Sequence, residues 1–485
     1  MPRPHVIIIG GGFAGLRAAK ELRDTNVRVT LIDRQNHHCF QPLLYQVATA
    51  ALGTQDIAAP IRKVLRHQEN VTVLMEEVVD IDVDARVVET STTELGYDYL
   101  ILAAGARTHY FNPDWEEQAP GLKTLADAVA IRSKVLLAYE AAEREQDEQR
   151  RREWLNFVVI GAGPTGVELA GALSEIATKT LSRNFRTFDP GDARVFLIEG
   201  LDAVLPQFPA PELRARAHEQ LLELGVDVRL GTLVDRIEDD RAVLADGTEI
   251  PTRTVLWAAG VRAEDIAGKL GVEQDKMGRV AVDTSLNIEG HPEVFVVGDI
   301  ARCVDANGVE VPGLAPAALQ MGEHAAQNIR RALGERSPQA FKYRDKGQMA
   351  TIGRSKAVAM SPRRRSTPVP ARLRSAQACA AGSSSPACTR APGTSSATAS
   401  QLSRVRAPST TSAPCSAKRS AMSRPMPGPM PEMMATLPSS STMSSCDQSL
   451  TSGATSAAKA AIWSHSSSGD LLTKPTWIWS TPRSR

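Results

Sequence analysis

Apolar residues fill positions 6–9, too short a run for a helix and rich in β-branched side chains, so they predict a buried parallel strand. The spacing then becomes helical through Leu16, Ala18, Ala19 and Leu22, and returns to a strand over residues 27–32. The same order recurs later: an apolar run at 154–160, a helical pattern through Val167, Leu169, Ala170 and Leu173, and a strand at Arg194–Ile198. Between the two copies, Val71–Met75 and residues 78–83 alternate as strands, and 86–89 continue the pattern. Residues 97–104 read as another buried strand, 124–142 as a helix, and the charge-dense 143–153 as a solvated face or crossover. Strands alternating with helices predict an α/β chain with parallel sheets.

Each copy carries glycines where strand passes into helix. Gly10, Gly12 and Gly15 stand at G-x-G-x-x-G spacing, and Gly161, Gly163 and Gly166 repeat it. The first glycine permits a tight turn, the second lets the backbone approach a pyrophosphate, and the third lets helix and strand pack closely. The helix N-terminus adds free N–H groups and a positive dipole end. An acid ends the following strand in both copies, Asp33 and Glu199, where a carboxylate accepts from an adenosine ribose. The last glycine precedes the acid by 18 residues in the first copy and 33 in the second, the longer gap holding an insert at 178–192. Two complete fingerprints predict two Rossmann-like units, each for one dinucleotide. A carboxylate at Glu199 bonds a ribose 2′-OH and repels a 2′-phosphate, which favours NADH over NADPH; Arg186 and Arg194 do not follow the acid as a phosphate-binding Arg would. Residues 254–259, before Gly260, echo Ala103, Ala104 and Gly105, so each predicts a strand returning the chain toward the other unit. A further apolar run ends in Gly298-Asp299, where Asp299 is placed to accept from a sugar-alcohol hydroxyl, or to cap a helix, or both.

Charge and cysteine divide the chain. Of its 56 Lys and Arg and 55 Asp and Glu, 15 bases but only three acids fall in residues 361–485, leaving residues 1–360 with a net charge of −11. No basic footprint for nucleic acid is present there. Cys39 and Cys303 stand alone in this body, and the four tail cysteines lack zinc-like spacing, which fits a reducing, cytoplasmic setting without structural disulfides or a metal site. His37 and His38 lack a nearby ligand set and read as loop or packing residues. Glycines and the strand–turn–helix order argue against a signal peptide after Arg3, and no run of 18 apolar residues predicts a membrane span.

The paired fingerprints, the two Ala-Ala-Gly strand ends and Gly298-Asp299 resemble the two-dinucleotide-binding-domain flavoproteins. Within that group the stretches at 40–48 (FQPLLYQVA), 315–322 (APAALQMG) and 343–353 (YRDKGQMATIG) resemble the type II NADH dehydrogenases, non-proton-pumping NADH:quinone oxidoreductases. The resemblance covers residues 5–359. It implies an FAD-binding domain over 1–120 and 263–360, interrupted by an NADH-binding domain over 150–262. FAD would lie on Gly10, Gly12, Gly15, Asp33, Val78, Ala104, Gly105, Asp299 and Lys346, and NADH on Gly161, Gly163, Gly166, Glu199 and Gly260. Glu168 matches the family carboxylate near the nicotinamide, and Gln320 the residue beside the quinone ring, although a polar helix face after Ala315 and Ala318 would also explain Gln320. The implied reaction passes hydride from NADH to the flavin, then electrons to menaquinone or ubiquinone. Members of the family attach to the inner membrane's cytoplasmic face and dimerise. Rival expectations are a soluble reductase of ferredoxin or rubredoxin, a sulfide:quinone reductase, which needs a cysteine pair, and a non-catalytic NADH sensor.

From Ser361 the text changes. Residues 361–485 hold 29 Ser and 14 Pro with no Phe or Tyr, and no apolar periodicity. Such composition cannot offset an ordering entropy of ~1–2 kcal/mol per residue, so the sequence predicts disorder there. Family members continue instead into amphipathic, aromatic-rich helices at the membrane interface. The tail is either a native extension or an out-of-frame read of a GC-rich gene from near codon 360.

Overall fold

The computed structural model describes residues 3–360, so the expectations placed on the tail lie outside the described residues. Strand β1 (His5–Ile9) is wholly buried and leads into helix α1 (Phe13–Glu21) and strand β2 (Arg28–Asp33). A short helix α2 (Leu44–Ala48), strand β3 (Val71–Met75) and strand β4 (Tyr99–Leu102) follow. Helix α3 (Leu125–Arg144) starts on Thr124, whose side chain accepts from the Asp127 amide while Asp127 bonds back. The second copy comprises β5 (Asn156–Ile160), α4 (Pro164–Glu175), β6 (Arg194–Ile198), α5 (Pro211–Glu223), β7 (Val226–Arg229) and β8 (Thr254–Trp257). The chain then adds β9 (Asn287–Ile288), β10 (His291–Val296), helix α6 (Ala315–Leu333) and the hairpin β11 (Gln348–Ile352) and β12 (Lys356–Met360).

Two sheets result. One has the order β9-β10-β4-β1-β2-β3 and the other β7-β6-β5-β8, each with its glycine-motif strand in the interior. The pairings of β1 with β2 and β4, and of β5 with β6 and β8, are all parallel. Their near-continuous apolar runs follow from burial on both faces. The returning segments Ala106–Thr108 and Val261–Ala263 pair antiparallel, so the two crossings run side by side.

Two expectations are corrected. The second copy's strand begins at Asn156 rather than 154, because Trp154 and Leu155 end a helix, Glu148–Leu155, that Asp147 caps. Residues 143–153 are therefore partly helical and none of them is buried, as a solvated face requires, and Glu143 accepts there from the Arg186 amide (2.9 Å) and the Thr187 hydroxyl (2.7 Å). Asp299 does not cap a helix: it lies in a turn closed by the Ala301 amide on the Gly298 carbonyl at 3.0 Å.

Candidate functional site

The two glycine loops are built alike. The Gly10 amide donates to the Ile32 carbonyl at 2.8 Å, and the Gly161 amide to the Ile198 carbonyl at 2.7 Å. The first glycine of each motif packs its Cα on the neighbouring strand end: a Cβ on Gly161 would lie 2.7 Å from the Ala259 Cα, and one on Gly10 would overlap the Ala103 carbonyl. The third glycine faces the carbonyl of the first, so a Cβ on Gly15 or Gly166 would collide with Gly10 or Gly161. The middle glycines differ. A Cβ on Gly12 or Gly163 meets nothing within 4 Å, and each heads its helix in extended conformation. That leaves clear space against the helix N-terminus, as a pyrophosphate requires.

Both acids secure these loops. Asp33 accepts from the Gly11 amide and the Gln35 amide, each at 2.6 Å, and Glu199 from the Ala162 amide (2.6 Å) and the Leu201 amide (3.0 Å). Each carboxylate oxygen retains lone pairs for a ribose hydroxyl. His38 is buried with Nδ1 3.0 Å from the Gly11 carbonyl; that acceptor requires an N–H there, and burial lowers the ring's pKa, so the imidazole is neutral. Edge-on to Phe13 at 4.9 Å, it braces the first loop and fills the packing role its sequence suggested.

Around the first loop the structure gathers several of the residues singled out in sequence. Ala104 adjoins Gly10, and Gly105 takes φ +78° in the turn that follows. A Cβ on Gly298 would lie 3.5 Å from that of Ala14 on α1 and 3.7 Å from that of Ala318 on α6, so Asp299 follows beside the same helix start. Lys123, unremarked in the sequence, reaches the Asp299 carboxylate at 3.5 Å, and its carbonyl accepts from Gln41. Close approach of α1 and α6 depends on Gly322, whose Cβ would collide with the Ala14 carbonyl, and Arg17 ties the pair through Glu323 at 2.9 Å. Val78 opens a separate three-stranded antiparallel sheet and packs half-buried on the first core. Gly260 turns beside His109 and Phe111, with Trp257 donating from Nε1 to the His109 carbonyl at 2.8 Å.

A third constellation forms where α4 meets the hairpin. Glu168 accepts from the Thr351 amide (3.3 Å) and hydroxyl (3.4 Å), and desolvation pushes its carboxyl up to about 8 against those bonds. The Tyr45 hydroxyl lies 2.8 Å from the Thr351 hydroxyl and accepts from Gln46 at 2.9 Å; burial first, then Glu168, raises its pKa. One face further along α4, Glu175 is 2% exposed and holds Lys179 at 2.5 Å, with Arg354 at 3.8 Å. Gly171 admits the hairpin here: a Cβ would lie 2.8 Å from the Gly353 amide. Gln320 sits elsewhere. Its amide donates to the Pro316 and Arg344 carbonyls at 2.9 and 3.1 Å and accepts from the Arg344 amide at 2.9 Å, clamping the segment that leads to exposed Lys346.

Burial raises the Cys39 thiol to about 11 and Cys303 to about 12, so neither is a ready thiolate. Among the described residues no group of three or more metal-ligating side chains converges, and no helix is long and apolar enough to cross a membrane.

Known proteins agree with this architecture. The family model described as pyridine nucleotide-disulphide oxidoreductase matches residues 4–322. The type II NADH:quinone oxidoreductase Ndh of Mycobacterium tuberculosis is 45% identical over 375 residues, which cover 74% of this chain and 80% of that protein. The chain belongs to the type II NADH:quinone oxidoreductases. A second protein of that bacterium, NdhA, is 43% identical over 375 residues, with 74% and 78% of the two chains covered. Among solved structures, NDH2 from Plasmodium falciparum in complex with NADH superposes with a TM-score of 0.69 over 74% of this chain and 90% of that one, at 20% identity, a likeness of fold.

Proposed function

We propose that this type II oxidoreductase oxidises NADH on an FAD seated in the first glycine cradle and reduces a quinone, menaquinone or ubiquinone, without pumping protons. The open face of both middle glycines supports two dinucleotides, since each offers a helix N-terminus and clear space to a pyrophosphate. FAD supplies, when bound, the capacity to take a hydride from NADH and release electrons to a quinone. The chain's own residues align and shield. Gly10 would form the turn, and Gly12 and Gly15 would set the helix N-terminus against the FAD phosphates, while Asp33 and Asp299 would accept from its hydroxyls and Lys123 would hold Asp299 in place. Ala104, Gly105, Val78 and Lys346 border the same cofactor. Gly161, Gly163, Gly166 and Gly260 cradle NADH, and Glu199 disfavours the 2′-phosphate of NADPH. Gln320 borders the acceptor.

The observation that carries the reading furthest is the desolvated Glu168 carboxyl at the start of the second glycine helix. NADH, one proton and a quinone give NAD⁺ and a quinol, so every turnover draws a proton. A carboxyl ionising near neutrality is matched to hold and release it. Purified protein should carry about one FAD per chain and oxidise NADH with a short-chain quinone. Quinone turnover unchanged across pH in a Glu168→Gln variant would remove Glu168 from the mechanism.

The membrane side rests on residues outside those described. The Ser- and Pro-rich composition after Ser361 supports a shift of reading frame, with weak activity toward membrane quinone, retained turnover of soluble acceptors, and loss of the peripheral membrane attachment and dimer contacts expected of the family.

A further inference from the structure

A line of hydrogen bonds leads into Glu168 from a part of the chain that the glycine motifs do not include. Gln46 donates to the Tyr45 hydroxyl at 2.9 Å, which leaves the Tyr45 hydrogen for the Thr351 hydroxyl at 2.8 Å. Thr351 in turn has its own hydrogen, and its amide, for Glu168 Oε1. When Glu168 is ionised, every donor in this line can point toward the carboxylate, and hydrogen bonds in such a chain polarise one another. Tyr45 is buried on α2 and Thr351 stands on β11, so the line is fixed by two elements packed on α4.

We propose that Thr351 and Tyr45 are positioning residues for Glu168: their hydroxyls aim the carboxyl and set the pH at which it gains and loses its proton. The proposal rests on the reading of Glu168 as the proton-handling group. Other groups around it are already committed. On α4 itself Glu175 is held by Lys179 and, from the hairpin turn, Arg354; from α5, Glu223 is paired with Lys356. Strands β5 and β6 present Phe157, Val159, Val195 and Leu197, all apolar. Thr351 is thus the source of hydrogen bonds to Glu168, and Tyr45 acts through it.

Donors to a carboxylate favour its ionised form, so deleting them raises the pH of ionisation. Glu168 delivers a proton from its neutral form, and the rate of quinone reduction should therefore fall on an alkaline limb that tracks this ionisation. Reoxidation of NADH-reduced full-length protein by menadione, followed by stopped flow from pH 6 to 10, reads the limb directly. Thr351→Val should move it up by about one pH unit and Tyr45→Phe by about half as much, while Thr351→Ser restores the original position. Flavin content and the melting curve identify any variant that fails to fold, and Tyr45→Phe keeps the test open if Thr351→Val is lost. A limb abolished by Glu168→Gln yet unmoved by Thr351→Val and Tyr45→Phe overturns this proposal alone. A limb that survives Glu168→Gln overturns the role of Glu168 and, with it, this proposal.

Discussion

Gly163→Ala and Gly166→Ala are one methyl group each, three residues apart, and should fail in opposite ways. At Gly163 the backbone is extended (φ −67°, ψ −178°), a conformation any residue adopts, and a Cβ meets no protein atom within 4 Å. The folded protein should not register the change: stability stays within about 0.5 kcal/mol. On the proposed reading the methyl instead projects where an NADH pyrophosphate would lie against the helix N-terminus. Holding that phosphate away from one backbone N–H forfeits a charge-assisted bond of about 2 kcal/mol, which weakens NADH binding about 30-fold. At Gly166 the Cβ collides with the Gly161 carbonyl, so helix and strand must separate, an overpacking cost of about 1–3 kcal/mol and a drop of a few degrees in Tm. Thermal melts without nucleotide and the NADH dependence of flavin bleaching separate the two effects. Flavin content should stay at wild-type level in Gly163→Ala, because the proposed function seats FAD in the other cradle. A Gly163→Ala protein that melts several degrees lower, or that binds NADH as tightly as the wild type, would refute the assignment of an open face to the middle glycine.

Wild-type protein should be reduced far faster by NADH than by NADPH, and Glu199→Gln should narrow that gap about tenfold; equal wild-type rates would overturn the role given to Glu199. The contribution of Glu168 to stability, read as wild type minus Glu168→Gln, should fall as pH rises from about 4.5 to about 8, by at most about 1.4 kcal/mol per unit, because the folded carboxyl stays protonated where the unfolded chain has ionised; His5, His38 and His324, whose pKa burial lowers, add a slope of opposite sign to both proteins. Chemical denaturation of both proteins at pH 5 and pH 8 measures the difference. Gln320→Leu should slow quinone reduction while sparing reduction by NADH; parallel loss of both half-reactions would make the Arg344 clamp its whole role. Resequencing the gene and translating the other frames after codon 360 should reveal a Trp-, Phe- and Leu-rich amphipathic helix, and its absence from both would establish the tail as native.

What could be read from sequence was local. The strand–glycine–helix–strand units lie within a few tens of residues, their apolar runs are set by burial on both faces, and the motif's glycines answer to contacts inside the unit itself. The Arg194–Ile198 and Val71–Met75 strands fall where the pattern puts them. The errors arose where two patterns abut. Trp154 and Leu155 are apolar and join a strand on hydropathy alone, but Asp147 starts a helix that carries through them. Asp299 follows glycine as a capping acid would, yet no helix begins there.

What could not be read was pairwise and distant. Tyr45 and Thr351 are 306 residues apart and meet at 2.8 Å, while Thr351 and Glu168 are separated by 183. Tyr45 and Thr351 lie in the stretches 40–48 and 343–353 that carry the family resemblance, but nothing in either stretch pairs the two residues with each other or with Glu168. Lys123 and Asp299 are joined the same way across 176 residues. The sequence therefore identified which cofactors the chain accommodates, because phosphate binding is a property of a contiguous loop. It did not identify the partners of Glu168, because these depend on two elements distant in sequence, Leu44–Ala48 and Gln348–Ile352, converging on α4. Gly171 is what permits the convergence, since any side chain there would hold the hairpin's Gly353 away. Gly171→Val should accordingly separate the hairpin from α4 and free Glu168 from Thr351 without touching a residue of the hydrogen-bonded line. Its expected signature is the same alkaline displacement as Thr351→Val, together with a lowered Tm from overpacking. A Gly171→Val protein with the wild-type pH limb would mean that Glu168 does not depend on the hairpin at all.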